Sequence, residues 1–165
     1  MPETNISFVC LGNICRSPLA EGVFKHLVEQ AGLAQQFQIE SAGIGGWHVG
    51  EPADERARAT ARAHGLNLTG RAQQFKASDF QRLDLIIALD SDVASDLRRM
   101  ASTPADRAKV HLLREFDPVR QATAGRATDL DVPDPYYGGP EGFENAYQMI
   151  ERSSRALLAS LAPRP

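Results

Sequence analysis

The stretch LDLIIALD, residues 83–90, narrows the choice of fold more than any other in the chain. It is apolar on both faces. A strand with no polar face belongs inside a parallel sheet that is covered on both sides. Parallel neighbours need long crossovers, usually helical, and the rest of the chain supplies them. ISFVC (6–10), FQIESAG (37–43) and KVHLLREF (109–116) read as three further strands. Helical patterns separate and follow them, at 17–32, 54–65, 91–101 and 141–161. In the first helix Leu19, Val23, Phe24, Leu27 and Val28 share one face. Ser17 is its N-cap candidate, Pro18 suits the first helical position, Glu21 lies near the capping-box position, and Gly32 ends it. Gly65 ends the second helix, whose Ala/Arg-rich part (56–63) reads as a solvated face. Ser91 is the N-cap candidate of the third.

This β-α-β-α-β-α-β-loop-α order predicts one domain over residues 1–165, a three-layer α/β/α sandwich on a four-stranded parallel sheet. Ligands of such sheets sit beyond the carboxyl ends of the strands, where the strand order reverses. Cys10 and the long Pro- and Gly-rich loop 117–141 are expected there, and a loop of that length is usually functional.

A net charge of −3 argues against nucleic acid as the main partner. MPETNISFVC lacks the pattern of a cleavable signal, and the longest aliphatic run, Leu85–Leu89, is too short to span a bilayer. A cytoplasmic protein is expected, with export by a signal-independent route left open. The only cysteines are Cys10 and Cys15, too few for a disulfide framework. His26, His48, His64 and His111 are scattered, so no metal site is expected, and no cofactor is called for.

The segment CLGNICRSP (10–18) carries the chemistry. Cys10 ends the first strand, and Arg16 follows after five residues. Leu11, Gly12, Asn13, Ile14 and Cys15 form a loop long enough to wrap one tetrahedral anion with inward-facing amides. The helix N-terminus adds partial positive charge, and Arg16 offers a planar fork to two phosphoryl oxygens. The same field stabilises a thiolate at Cys10. The nucleotide-binding pattern G-x-x-x-x-G-K-[ST] is absent. A buried packing cysteine is the bland alternative for Cys10, and Arg16-Ser17-Pro18 weighs against it. An acid for the leaving group could be Asp129, Asp131 or Asp134. Asp134 stands between two prolines that restrict its backbone. Trp47, after Gly45-Gly46, and the pair Tyr136–Tyr137 could wall a slot for a phenyl ring together with Ile14. Asn13 could tie the loop together, Ser17 could donate to the thiolate, and Ser41 could bond to Asn13. Asp90 ends the third strand near the same rim. For Ser41 and Asp90, ordinary strand-end capping is an equal alternative.

CLGNICRSP together with DPYYGG, and with SAGI, WHVG, ADERA and AHG between them, resembles the low-molecular-weight protein tyrosine phosphatase family over nearly the whole chain. The resemblance implies a metal-independent phosphatase acting on phosphotyrosine proteins through a phosphocysteine. Cys10 would be the nucleophile, Arg16 the phosphate clamp and Asp134, the Asp before Pro-Tyr-Tyr, the acid and base. It implies that Cys15 is a backup thiol able to form a reversible disulfide with Cys10, with a packing role as the alternative. A cognate tyrosine kinase partner and phosphorylation of Tyr136 or Tyr137 are also implied, and a monomer is expected. Trp47 and the tyrosine pair resemble the aromatic-walled branch, not the one tied to polysaccharide export. One position departs from the pattern. Where many members carry a histidine that buttresses the phosphate loop, this chain has Gly70, so the buttress is missing or replaced. Two rivals remain. A thiol-dependent arsenate reductase on this scaffold would need cysteines late in the chain, and none follows Cys15. A non-catalytic phosphotyrosine-binding module would be expected to lack the nucleophile or the acid.

Overall fold

The computed structural model describes residues 3–119, 130–136 and 138–162. Four parallel strands, β1 (Thr4–Cys10), β2 (Phe37–Gly43), β3 (Leu85–Ala88) and β4 (Val110–Leu112), lie in the order β2-β1-β3-β4. The chain leaves β1 first to one side and later to the other, so the reversal in strand order falls beside its carboxyl end. Cys10 sits there, paired in register with Gly43. Side chains alternate across β1. Ile6, Phe8 and Cys10 enter the core under α1 (Arg16–Gln30), α2 (Glu55–Ala63) and α5 (Pro140–Leu161). Val9 faces the other core, under α3 (Ser91–Met100). The two cores make the predicted three layers, and full burial of a Phe, Leu or Ile side chain contributes about 1.5–3 kcal/mol.

The helix faces read from periodicity are the ones buried. Leu19, Val23, Phe24, Leu27 and Val28 all face the core. Gly32 and Gly65 follow α1 and α2 with φ of 73° and 80°, the left-handed region that lets a helix end without steric cost. Other expectations are corrected. Ser17 is not the cap of α1. Cys15 holds that position, the helix starts at Arg16, Pro18 is its third residue, and no side chain caps the first turn. Asp90, not Ser91, caps α3, accepting from the Val93 amide at 2.8 Å. Alanines at 57 and 61 are buried, so the 56–63 stretch is amphipathic, with alanine as its core stripe. The fourth strand is shorter than 109–116. A 3₁₀ turn occupies Leu113–Phe116, because Glu115 accepts from the Leu112 amide and Arg114 turns inward to Asp117. The third strand stops at Ala88, since Asp90 is already turned into its helix cap. A short helix, α4 (Pro104–Arg107), was not anticipated, although Thr103-Pro104 is a cap-and-N1 pair. Of the loop 117–141, residues 120–129 and Tyr137 lie outside the described residues, and with them the Asp129 and Tyr137 readings.

Candidate active site

The loop from Cys10 to Arg16 is held from inside by Asn13. Its φ of 59° is left-handed, a conformation that asparagine tolerates better than most residues. Its side chain, 2% exposed, engages both of its polar atoms. Nδ2 donates to Ser17 Oγ at 2.8 Å and to Ser41 Oγ at 3.0 Å, and Oδ1 accepts the Gln73 amide at 2.9 Å. Because Ser17 Oγ accepts from Asn13, its own hydrogen is available to Cys10 Sγ at 2.9 Å. The Asn13 amide approaches the same sulfur at 3.3 Å. Ser41 Oγ in turn donates to Glu21 Oε1 at 2.5 Å, and Lys25 Nζ holds the other Glu21 oxygen at 2.6 Å. Two donor chains thus diverge from the Asn13 side-chain amide, one through Ser17 to the sulfur and one through Ser41 to the Glu21 carboxylate.

β2 presses against this loop. Ile44 and Gly45 donate to the carbonyls of Cys10 and Leu11 at 3.0 and 2.9 Å. A Cβ on Gly43 would stand 2.9 Å from the Asn13 nitrogen, so only glycine fits there. The segment after Gly70 clips onto the end of β2. Gly43 donates to the Gln73 carbonyl at 2.8 Å, Phe75 donates to the Gly43 carbonyl at 2.7 Å, and the Gln73 side chain donates to the Ser41 carbonyl at 2.9 Å. Gly70 itself is exposed, and a Cβ there would meet nothing within 4 Å. The Gln73 backbone amide is therefore the group that supports Asn13 from that side.

Arg16 is 3% exposed. Its Nη1 donates to Asp90 Oδ2 at 2.6 Å and to the Val132 carbonyl at 2.9 Å, and Nη2 lies 3.6 Å from Asp134 Oδ2. Asp90 therefore caps α3 with one oxygen and orients Arg16 with the other. Burial alone would lower the Arg16 pKa, but the nearby Cys10 and Asp90 outweigh it and keep the guanidinium charged. The uncapped first turn of α1 supplies N–H groups that an anion can satisfy.

A pocket of about 300 Å³ opens over Cys10, lined by Leu11, Gly12, Ile14, Cys15, Arg16, Trp47, His48, Asp134 and Tyr136. Trp47, 70% exposed, lays its ring over Gly45, where a Cβ would come within 1.8 Å of it. Asp134 Oδ1 accepts the Tyr136 amide at 3.0 Å. Asp131, the rival acid, is spent elsewhere. It accepts from both the amide and the hydroxyl of Ser91, at 2.7 and 2.8 Å. Cys15, buried and near Asp54, Cys10 and Asp134, has its thiol pushed up to about 12, chiefly by burial. It is therefore a neutral thiol, while Cys10 is the sulfur with converging donors. Among the described residues no cluster of three or more His, Cys, Asp or Glu could hold a metal ion.

Sequence reading missed Glu21 as a link, Gln73, His48 and the pair Asp54–Arg56. Asp54 caps α2 and is held below the usual carboxylate range, mainly by hydrogen bonding from Arg56. Its amide donates to the Ile14 carbonyl at 2.8 Å. Only the ADERA segment hinted at this pair, and nothing in its spacing points to the loop.

A sulfur under two donors, a buried guanidinium and a carboxyl group, all on one anion-binding loop and its rim, form a site for phosphoryl transfer through a cysteine. The family model described as low molecular weight phosphotyrosine protein phosphatase matches residues 5–164. A Streptomyces coelicolor low molecular weight protein-tyrosine-phosphatase is 54% identical over 156 residues, covering 94% of this chain and 92% of the relative. The crystal structure of a protein tyrosine phosphatase from Entamoeba histolytica superposes with a TM-score of 0.87 at 33% identity, covering 96% of this chain and 97% of the other. A drosophila arginine phosphatase superposes at 0.84 and 34% identity, covering 97% of this chain and 99% of the other. The chain belongs to the low molecular weight phosphotyrosine protein phosphatase family and is a protein tyrosine phosphatase, a hydrolase. No helix among the described residues is long and apolar enough to cross a membrane.

Proposed function

We propose that Cys10 is the nucleophile, Arg16 the phosphate clamp and Asp134 the general acid and base of phosphotyrosine hydrolysis. The observation that carries this assignment is that all three line one pocket, with Ser17 Oγ 2.9 Å from the Cys10 sulfur. The sulfur attacks phosphorus in line, and the bond to the tyrosyl oxygen breaks as Asp134 protonates that oxygen. Water then attacks the phosphocysteine and gives a proton to Asp134. The sulfur leaves as thiolate, stabilised by a hydrogen bond from the Ser17 hydroxyl, and phosphate is released. Arg16 and the loop amides hold the equatorial oxygens in both steps.

Ile14, Trp47 and Tyr136 make the slot apolar and aromatic, which suits an aryl ester better than the guanidine of a phosphoarginine. Substrates are phosphotyrosine proteins, with a cognate tyrosine kinase as the enzyme that supplies them. A monomer fits the sparse exposed apolar side chains, mainly Leu11, Trp47, Val49, Val119 and Tyr136 among the described residues, and the location we propose is the cytoplasm, in keeping with the sequence reading. Cys15 serves as resolving thiol. Once a peroxide has oxidised Cys10 to a sulfenic acid, condensation with the Cys15 thiol releases water and forms the disulfide.

Hydrolysis of p-nitrophenyl phosphate at mildly acid pH, with EDTA and a reductant, tests the core assignment. Wild type turns over, Cys10→Ser does not, and Asp134→Ala loses about 10²–10⁴-fold. Binding of phosphate without turnover in the wild type would overturn it in favour of a binding module.

A further inference from the structure

We propose that Arg56 is a positioning residue for the general acid, a role that rests on the reading of Asp134 as that acid. Arg56 lies in the first turn of α2, outside the pocket, on an exposed surface. An exposed arginine is usually mobile, but this one is engaged at every guanidinium nitrogen. Nε and Nη2 reach the two oxygens of Asp54, each at 3.1 Å, and Nη1 donates to the Tyr136 carbonyl at 2.8 Å. The guanidinium also lies over two rings, 5.2 Å from the centre of Tyr136 and 4.8 Å from that of buried Phe143.

These contacts join two parts of the site that no strand or helix joins. On one side, Asp54 is tied through its amide to the Ile14 carbonyl, in the wall of the phosphate loop. On the other, Tyr136 is the residue whose own amide bonds Asp134 Oδ1. The carbonyl of Tyr136 is thus held by Arg56 while its N–H orients the acid. A shift of Tyr136 moves the carboxyl group directly, and a displacement of about 1 Å costs on the order of 10²-fold in a step that needs aligned proton transfer. The stability at stake is small, because solvent and salt screen an exposed ion pair. Geometry and stability therefore make opposite predictions for this side chain.

The test uses kcat/KM, which covers the steps up to departure of the alcohol. Phenyl phosphate has a leaving group as basic as tyrosine, near pKa 10, and needs the acid. p-Nitrophenyl phosphate has a far better leaving group and needs it less. Wild type, Arg56→Ala, Arg56→Lys, Asp134→Asn and the double variant Arg56→Ala/Asp134→Asn are compared on both esters, with melting temperatures. Arg56→Ala is expected to lose about 10–100-fold on phenyl phosphate and several-fold less on p-nitrophenyl phosphate, at nearly unchanged melting temperature. Arg56→Lys, which can still reach the Tyr136 carbonyl but cannot form the fork, falls between. In the Asp134→Asn background the alanine change costs nothing further.

Equal losses on both esters would reduce Arg56 to a support of the aromatic wall and overturn the proposal. So would an undiminished loss in the Asp134→Asn background. If Asp134→Asn itself shows no greater loss on phenyl phosphate, the assignment of the acid fails. If it does, and Arg56→Ala does not, only the role of Arg56 fails.

Discussion

The phosphate loop and the acid segment 130–136 face each other across one pocket, yet they are held by different means. The loop is supported from its buried side. Asn13 and Arg16 are 2% and 3% exposed, and Asn13 engages both of its side-chain polar atoms, on Ser17, Ser41 and the Gln73 amide. The acid segment is more open, with the Asp134 side chain 39% exposed. It is pinned by three arginines from three elements, each donating to a main-chain carbonyl. Arg114 bonds Asp131, Arg16 bonds Val132, and Arg56 bonds Tyr136, at 3.0, 2.9 and 2.8 Å. A nucleophile must be aimed at one point with little freedom, and a dry, fully satisfied network provides that. In the role proposed for Asp134, an acid must meet leaving groups that enter and depart, and a wetter segment with a fixed backbone and an accessible side chain suits that role.

The largest expected effect comes from breaking the buried support. Asn13→Ala leaves the Gln73 amide without its partner, removes one hydrogen bond each from Ser17 and Ser41, and forces alanine into a left-handed conformation. We expect a cost on the order of 3 kcal/mol, a melting temperature lower by about 6–12 °C, and kcat/KM lower by about 10²-fold or more. Asn13→Gly relieves the backbone strain alone. If it restores activity, the hydrogen bonds are not what holds the loop.

A middling effect concerns the arginine pins. Asp117 is fully buried between Arg114 and Arg152. Burial would raise its pKa, but hydrogen bonds from Arg152, the Val119 amide and Arg114 outweigh that and hold it below the ordinary carboxylate value. Its contribution to stability is therefore present above the unfolded value, about 3.9, and is lost as pH falls through the lower folded value. The melting-temperature advantage of wild type over Asp117→Asn should be full near about pH 7 and shrink below about pH 4. A difference independent of pH would mean that Asp117 does not anchor Arg114 as a carboxylate.

The smallest effect is at the rim. Trp47→Ala should raise KM for aryl phosphates about three- to tenfold and shift stability by no more than about 0.5 kcal/mol. An unchanged KM would show that the phenyl ring is held by Ile14 and Tyr136 alone.

The sequence by itself determined the layer architecture, because a doubly apolar strand, the 3.6-residue face of α1 and the alternation of strands with helical patterns admit few other packings. It also singled out Cys10, Arg16 and Asp134, which the structure brings to one pocket and whose local patterns are informative: a cysteine and an arginine separated by five residues at a helix start, and an aspartate between two prolines. Local reading failed where hydrogen bonds cross long stretches of chain. Ser17 reads both as a cap and as a donor to the thiolate; the helix starts two residues earlier than that cap implies, at Arg16, so only the second reading fits its place beside the sulfur. Asp90 reads equally as a supporting residue at the rim and as a strand-end cap, and the structure gives it both roles, one oxygen on Val93 and one on Arg16. Gly70 looked like a lost support, and only the tertiary structure shows the Gln73 amide supporting Asn13. Glu21–Ser41 and Arg56–Tyr136 have no spacing to read, because their distances are set by how the sheet edge, α1, α2 and the acid segment meet. Residue types and periodicities are local properties of a chain. Which carbonyl an arginine finds is decided only when the layers close.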